Sequence, residues 1–280
     1  MSGKLHLVGT PIGNLGDFSP RALEALRSVD FIAAEDTRVT MKLLNHFEIK
    51  KPLVSYFEHN KYASGAKILD RILAGESCAL VTDAGMPAIS DPGEELVGLC
   101  AQAGVEVLVV PGPAALVSAV ALSALPSGRF CFEGFLSTAN KSRREHLESL
   151  AGERRTMVFY EAPHKLRVTL QDLAAVLGRE RRISLCRELT KKHEEAIRTT
   201  LGGAIALYQE EDPLGEYVLV IEGRSPESIT EEAQANWNAM PLTEHMQHYL
   251  DQGMSEKDAM KAVAKDRGVS KRDIYNELKT

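Results

Sequence analysis

Short apolar runs alternate with polar, helix-spaced segments along most of the chain. Leu5–Val8, Val29–Ala34, Pro52–Tyr56, Cys78–Val81 and Val105–Val110 each read as a strand, Cys78–Val81 as a buried one. Between them, Pro20–Arg27, Val39–Phe47, a segment ending near Leu73 and Gly75, and Glu94–Ala103 carry helical spacing. Ser19-Pro20 supplies N-cap and first-turn chemistry for the first of these helices. Five strands alternating with helices predict a parallel or mostly parallel α/β sheet. Each strand ends in polar or Gly/Pro-rich residues, so the loops at the carboxyl ends, where open α/β sheets bind ligands, hold the candidate chemistry. The run Ala79–Gly93 stands out, because the apolar strand stops at Asp83 and continues as Ala-Gly-Met-Pro-Ala-Ile-Ser-Asp-Pro-Gly. Gly85 lets a ligand approach the backbone, while Pro87 and Pro92 restrict themselves and their predecessors.

A second set follows the apolar helix predicted over Ala114–Leu125. Strands are predicted at Phe130–Phe135, Thr156–Glu161, Ile183–Arg187, Glu195–Thr200 and Tyr217–Glu222, and helices at Lys141–Leu150, after Pro163 and at Gly203–Glu210. This pattern is α+β or mixed α/β. Gly223-Arg224-Ser225-Pro226 interrupts it, and no strand signal follows. The expected division is an α/β domain over 1–115, a second over 116–224, and a linker with a helical tail over 225–280. In the tail, Ser255-x-x-Asp258 and Ser270-x-x-Asp273 have capping spacing, with Gly268 between them, which predicts a helix-turn-helix. Lys257, Lys261 and Lys265 recur at i, i+4 and i+8, and Lys271 and Arg272 open the next helix, making a basic face suited to solvent or to nucleic acid.

Composition narrows the classes. The 280 residues carry a net charge of -6, against a protein coated in basic surface but compatible with local basic patches. Cys78, Cys100, Cys131 and Cys186 are far apart with no Cys-x-x-Cys pair, as expected of free thiols in a reducing cytosol. The amino-terminal apolar run is too short for a signal peptide, and Ala114–Leu125 is too short to span a bilayer. The first loop, Gly9-Thr10-Pro11-Ile12-Gly13-Asn14, is neither a dinucleotide fingerprint nor a P-loop. His245 and His248 are i, i+3 neighbours, but no third ligand has recognisable spacing, so no metal is expected.

Taken in order, Thr10-Pro11-Ile12-Gly13-Asn14, Ala34-Glu35-Asp36-Thr37-Arg38, Glu58-His59-Asn60, Asp83-Ala84-Gly85-Met86-Pro87, Asp91-Pro92-Gly93 and Pro111-Gly112-Pro113 resemble one family. So do Phe132-Glu133-Gly134-Phe135, Tyr160-Glu161-Ala162-Pro163-His164, Arg187-Glu188-Leu189-Thr190-Lys191 and Gly215-Glu216-Tyr217. The resemblance is to the ribosomal RNA small subunit methyltransferase I family of the tetrapyrrole-methylase superfamily, and it covers essentially the whole chain. It implies two α/β domains with S-adenosylmethionine in the cleft between them, a small helical module, and methylation of a cytidine ribose 2′-hydroxyl in 16S rRNA of the small ribosomal subunit. It further implies a cytoplasmic homodimer. Matched by position, Pro11, Asp83, Ala84, Gly85, Pro87, Ile89, Gly112, Pro113 and Ala114 would bind the cofactor, with Tyr160 and Leu189 approaching from the second domain.

Methyl transfer from a sulfonium to a hydroxyl needs water exclusion, in-line positioning and help with the departing proton. The candidates for that proton are Glu58, His59, Asp36 and Glu35, with Arg38 and Asn60 holding the RNA ribose or phosphate and Lys261, Lys265, Lys271 and Arg272 extending the RNA contact. Two other functions fit the same pattern. One is a tetrapyrrole methyltransferase of the same superfamily, against which the Thr10–Asn14 loop and the basic tail argue. The other is a non-catalytic RNA-binding assembly protein, against which the intact Asp83–Gly93 loop argues.

Overall fold

The computed structural model describes residues 2–279. The chain divides into two units, one taking residues up to Ala151 with Arg155–Glu222, the other Gly152–Arg154 with Gly223 onward.

The first unit opens with β1 (Lys4–Val8), α1 (Pro20–Ser28), β2 (Phe31–Ala34), α2 (Thr37–His46), β3 (Leu53–Ser55), α3 (Lys61–Leu73), β4 (Cys78–Val81), α4 (Gly93–Gln102) and β5 (Glu106–Val110). The strands form one sheet in the order β3-β2-β4-β1-β5, every neighbouring pair parallel. All four residues of β2 and of β4 are buried, because helices cover both faces of a parallel sheet. Ile32, Ala34, Ala79 and Val81 join α1 and α2 in one core, while Phe31, Ala33, Cys78 and Leu80 join α3 and α4 in the other. The register pairs Ala34 with Val81 and Val8 with Val110. Strand ends are therefore level, and the loops after β1, β2, β4 and β5 leave the sheet at one edge.

Next come α5 (Ala115–Leu122), β6 (Phe130–Gly134), α6 (Asn140–Ser149), β7 (Thr156–Glu161), α7 (Pro163–Leu177), β8 (Arg182–Arg187), β9 (Glu195–Thr200), α8 (Leu201–Glu210) and β10 (Tyr217–Ile221). The second sheet runs β6-β7-β10-β8-β9, with only β6 and β7 parallel. Tyr217, Leu219 and Ile221 of β10 face α7 and α8, and Val218 and Val220 face α5. The helix expected to reach Leu125 stops at Leu122. There the Ser123 hydroxyl donates back to the Val120 carbonyl, Ala124 adopts a φ of 60°, and Pro126 disfavours a helical residue before it.

The second unit holds α9 (Pro226–Ala239), α10 (Leu242–Asp251), α11 (Glu256–Arg267) and α12 (Lys271–Leu278). The expected helix-turn-helix is α11 and α12, joined by Gly268 in the left-handed conformation. Ser270 and Asp273 complete a reciprocal capping box. The stretch read as linker passes directly into two further helices, α9, whose polar sequence carries little apolar periodicity, and α10, where Leu242, Met246, Tyr249 and Leu250 recur at i, i+4, i+7 and i+8. Among the described residues no helix is long and apolar enough to cross a membrane.

Candidate functional site

The loops at the level strand ends are tied to one another through backbone. Thr10 and Gly85 exchange two hydrogen bonds, at 2.9 and 3.2 Å, and the Thr10 hydroxyl donates to the Thr82 carbonyl at 3.1 Å. Gly9 and Gly112 lie so close that a Cβ on either would come within 2.8 Å of the other's backbone. The Gly112 N–H meets the Met86 sulfur at 3.2 Å. In the loop after β4 the Asp91 carboxylate accepts from the amides of Ala88 at 3.0 Å and Gly93 at 2.7 Å. Ala88 and Ser90 are thereby held at φ of 67° and 62°, backbone that residues with side chains avoid and that clusters at functional sites. From below, the buried Tyr56 hydroxyl donates to the Pro92 carbonyl at 2.8 Å. The loop is preformed.

These loops and the second sheet enclose a cavity of about 660 Å³. Its apolar surface comes from Ile12, Met86, Ile89, Leu116 and Leu189. Its charge is mostly negative: Glu35, Asp83, Asp91 and Glu161 line it, against Lys191, which is clamped by Glu188 at 2.9 Å and Glu216 at 2.8 Å. Thr82 donates to Glu35 Oε2 at 2.6 Å. The Asp36 amide donates to Asp83 Oδ1 at 3.0 Å. Burial raises the Asp83 carboxyl above its ordinary range, helped by the charges of Glu35 and Asp36; burial likewise raises Asp91. On the second-sheet side, Glu188 and Thr190 both have positive φ, and the Thr190 hydroxyl is buried without a hydrogen-bond partner among the described residues. An acidic, partly apolar hollow suits a small cationic molecule with polar ends.

Of the residues matched for the cofactor, Asp83, Ala84, Gly85, Ile89, Ala114, Tyr160 and Leu189 line this cavity. Pro11 lines a neighbouring hollow, and Pro87, Gly112 and Pro113 line neither. Tyr160 is held between Phe132 and Phe135, at ring distances of 4.9 and 5.5 Å.

The acid–base candidates separate. Glu58 and His59 follow β3, the edge strand, and neither lines the cavity; Glu58 pairs with Lys61 at 2.9 Å. Asn60 is spent on the same loop, accepting from the Phe57 amide at 2.8 Å and donating to the Ser55 carbonyl at 3.1 Å. Asp36 caps α2 and binds Arg38 in two side-chain contacts, at 3.0 and 2.6 Å. Those Arg38 bonds, with the Arg38 amide, hold the Asp36 carboxyl down at about 2, so it is a poor proton acceptor. Glu35, after the interior strand β2, does reach the cavity. Lys191 and Glu161 also line it, although the sequence offered only the runs around Arg187–Lys191 and Tyr160–His164 as signals.

In the tail, Lys257, Lys261, Lys265 and Arg272 are exposed and Lys271 is half-buried. Among the described residues no group of three His, Cys, Asp or Glu side chains is placed to hold a metal ion.

Residues 4–205 match the family model described as Tetrapyrrole (Corrin/Porphyrin) Methylases. The chain is 47% identical over 273 residues to ribosomal RNA small subunit methyltransferase I of Synechocystis sp., covering 98% of this chain and 96% of that protein. It is 48% identical to the protein of that name from Halalkalibacterium halodurans, covering 98% and 94%. It is 50% identical to the one from Thermotoga maritima, covering 79% of this chain and 99% of that protein. Among solved structures it resembles diphthine synthase, with a TM-score of 0.60 at 15% identity over 80% of this chain and 91% of that one. It also resembles a uroporphyrin-III C-methyltransferase from Thermus thermophilus, with a TM-score of 0.56 at 20% identity over 79% and 94%. At such identities the structural likeness speaks for the fold.

Proposed function

The chain belongs to the tetrapyrrole methylase family and, within it, to the ribosomal RNA small subunit methyltransferase I family; from that premise we propose that it methylates the ribose 2′-hydroxyl of a cytidine in 16S rRNA, with S-adenosylmethionine as donor. The observation that carries this function is the acidic, preformed cavity of about 660 Å³ at the carboxyl ends of the first sheet.

S-adenosylmethionine, when bound, supplies a methyl group on positively charged sulfur; the C–S electron pair returns to sulfur as the new O–C bond forms. The carboxylates of Glu35, Asp83 and Asp91 offer a field that favours such a cation. The backbone at Ala84 and Ala114, which line the cavity, is suited to its polar ends, and Ile12, Met86 and Leu189 exclude water. Tyr160 and Leu189 close the cavity from the second sheet.

The hydroxyl must lose a proton during transfer. Glu35 and Asp83 both face the cavity and each keeps a carboxylate oxygen outside the hydrogen bonds described above. Asp83, raised by burial, is the stronger acceptor of the two neighbours Asp83 and Asp36. Glu58, His59 and Asn60 then shape the loop after β3, and Arg38, 87% exposed, is free to meet RNA with its far face. The basic residues Lys261, Lys265, Lys271 and Arg272 extend that contact. The protein acts in the cytoplasm, as a homodimer; exposed Val117 and Leu214 are apolar surface available to a second copy.

The test is transfer of labelled methyl to small subunits that lack the modification, beside naked 16S rRNA and a tetrapyrrole acceptor. Label recovered as an alkali-resistant dinucleotide supports ribose methylation, and label in the tetrapyrrole alone refutes it. In single turnovers, Asp83→Asn and Glu35→Gln should slow transfer by about a hundredfold or more for whichever takes the proton.

A further inference from the structure

A second hollow, of about 420 Å³, adjoins the first. It is lined by the first loop and one face of α2: Pro11, Gly13 and Leu15, then Val39, Leu43 and His46, which recur at i, i+4 and i+7, with Lys42 beside them. Thr82 and Asp83 line both hollows. So does the loop after β1, residue by residue: Pro11 and Gly13 face the second, and Ile12 between them faces the first. The partition is one loop thick. It is pinned at Thr10–Gly85 and pressed against Lys191 of the first cavity, whose Cγ a Cβ on Gly13 would approach to 2.5 Å.

The two hollows differ in charge. Glu35, Asp83 and Asp91 line the first, whereas Asp83 is the single carboxylate of the second, which also has Lys42 and His46. Lys42 forms no ion pair or hydrogen bond among the described residues, and Arg38, one turn earlier on α2, is exposed. A polyanionic acceptor is repelled by the first hollow and tolerated by the second. The second has the volume of a small-molecule pocket. Its apolar side chains Leu15, Val39 and Leu43 suit the face of a base, and its lysine suits a phosphate. Transfer requires the acceptor oxygen within about 3–3.5 Å of the donor carbon and in line with the bond that breaks. Thr82 and Asp83, which line both hollows, are where an acceptor in the second would approach a donor in the first.

We propose that the second hollow seats the acceptor nucleotide, its base against Leu15, Val39 and Leu43, its phosphate at Lys42, and its ribose hydroxyl directed past Asp83 into the first cavity. This rests on the methyl-transfer function above. The bond that forms is ribose oxygen to methyl carbon, the bond that breaks is carbon to sulfur, and the proton goes to a carboxylate at the shared wall.

Two variants of the full chain test it, Leu15→Trp, which fills the hollow from a position already 43% exposed, and Lys42→Gln, which removes its free cation. For each, kcat and KM for small subunits are measured beside the dissociation constant for S-adenosylmethionine. Leu15→Trp should lower kcat/KM for RNA at least about tenfold and Lys42→Gln should raise KM about fivefold, with cofactor affinity unchanged within about twofold. Wild-type kcat and KM in both variants overturn the proposal. Weakened cofactor binding with unchanged RNA KM also overturns it, by giving the hollow to the cofactor. Failure of the methyl-transfer function itself would appear separately, as absence of label with the unmodified protein on every RNA substrate.

Discussion

The loop after β4 and the interior of the tail both bury ionisable side chains, and they satisfy them by opposite means. Asp91 is answered by the amides of its own loop, at Ala88 and Gly93. His245, fully buried, is answered by side chains far along the chain. It stacks on Trp237 at 4.1 Å with the rings 5° from parallel. Arg267 Nε donates to its Nδ1 at 3.2 Å, so Nε2 carries the hydrogen and donates to Asp266 at 3.3 Å, where the Tyr249 hydroxyl also donates, at 2.5 Å. Backbone satisfaction fixes a loop's shape and leaves side chains free for a ligand. Side-chain satisfaction spends those groups on holding helices together, which a tail with a core of only a few apolar residues needs.

The sharpest way to break the comparison is in the backbone. Gly112→Ala forces a Cβ to 2.8 Å from the Gly9 backbone, and neither neighbour is a flexible side-chain end. We expect a loss of at least about 3 kcal/mol, read by urea unfolding, and loss of methyl transfer in whatever protein remains folded. An unchanged midpoint would mean that the two loops can part freely, and the cavity would not be preformed.

Asp266→Ala strikes the tail in the opposite way, leaving His245 and Tyr249 without their shared acceptor. A cost of about 2 kcal/mol is expected. Trp237 is the only tryptophan, so its fluorescence reports this unit selectively. The same probe should show a pH dependence. Burial lowers the His245 pKa, outweighing Asp266, which raises it. The folded tail therefore prefers neutral imidazole more than the unfolded chain does. Its stability is complete above about 6.5, the ordinary histidine value, and is lost as pH falls through that value toward the lowered folded one. His245→Gln should flatten that slope; a slope that persists assigns it to another group.

Asp91→Ala should cost about 1–2 kcal/mol, because it leaves the amides of half-buried Ala88 and buried Gly93 without their acceptor. Its larger effect falls on function. With Ala88 and Ser90 released from positive φ, affinity for S-adenosylmethionine should drop about tenfold while the Trp237 signal stays put. A tenfold loss without any change in unfolding would sharpen the contrast between a loop built for a ligand and a cluster built for folding.

The contrast also explains what the sequence made legible. A backbone-satisfied loop needs Gly, Pro and Asp at fixed places, so Ala79–Gly93 reads as a site directly. Strand positions were legible for the same local reason: Cys78–Val81 is an uninterrupted buried run, and Thr156–Glu161 is buried throughout except at Tyr160. Strand order was not. Glu35, Glu58 and Asp83 all follow strands, yet β3 lies at the edge and β2 and β4 lie inside, so Glu58 stands off the cavity that Glu35 and Asp83 line. The helices α9 and α10 were missed because their anchors find partners only through tertiary packing: Leu242 and Met246 join α11 and α12 in one core, and His245 stacks on Trp237 of α9. The pair His245 and His248 showed no third ligand, but the sequence did not show what holds His245 instead, because Asp266 and Arg267 are about twenty positions away.

The smallest stability effect is expected on the basic face of α11, where Lys261 and Asp258 sit 3.8 Å apart, both 62% exposed. Such a pair contributes no more than about 0.5 kcal/mol. Lys261→Gln with Lys265→Gln should leave the Trp237 transition almost unmoved. If these lysines touch phosphates, the same double variant should make binding of small-subunit RNA less salt-dependent, lowering the slope of log K against log salt by about one for each phosphate no longer neutralised. An unchanged slope would leave the basic face as ordinary solvated surface. The acceptor strand would then be held by the first unit alone, at Arg38 and Lys42.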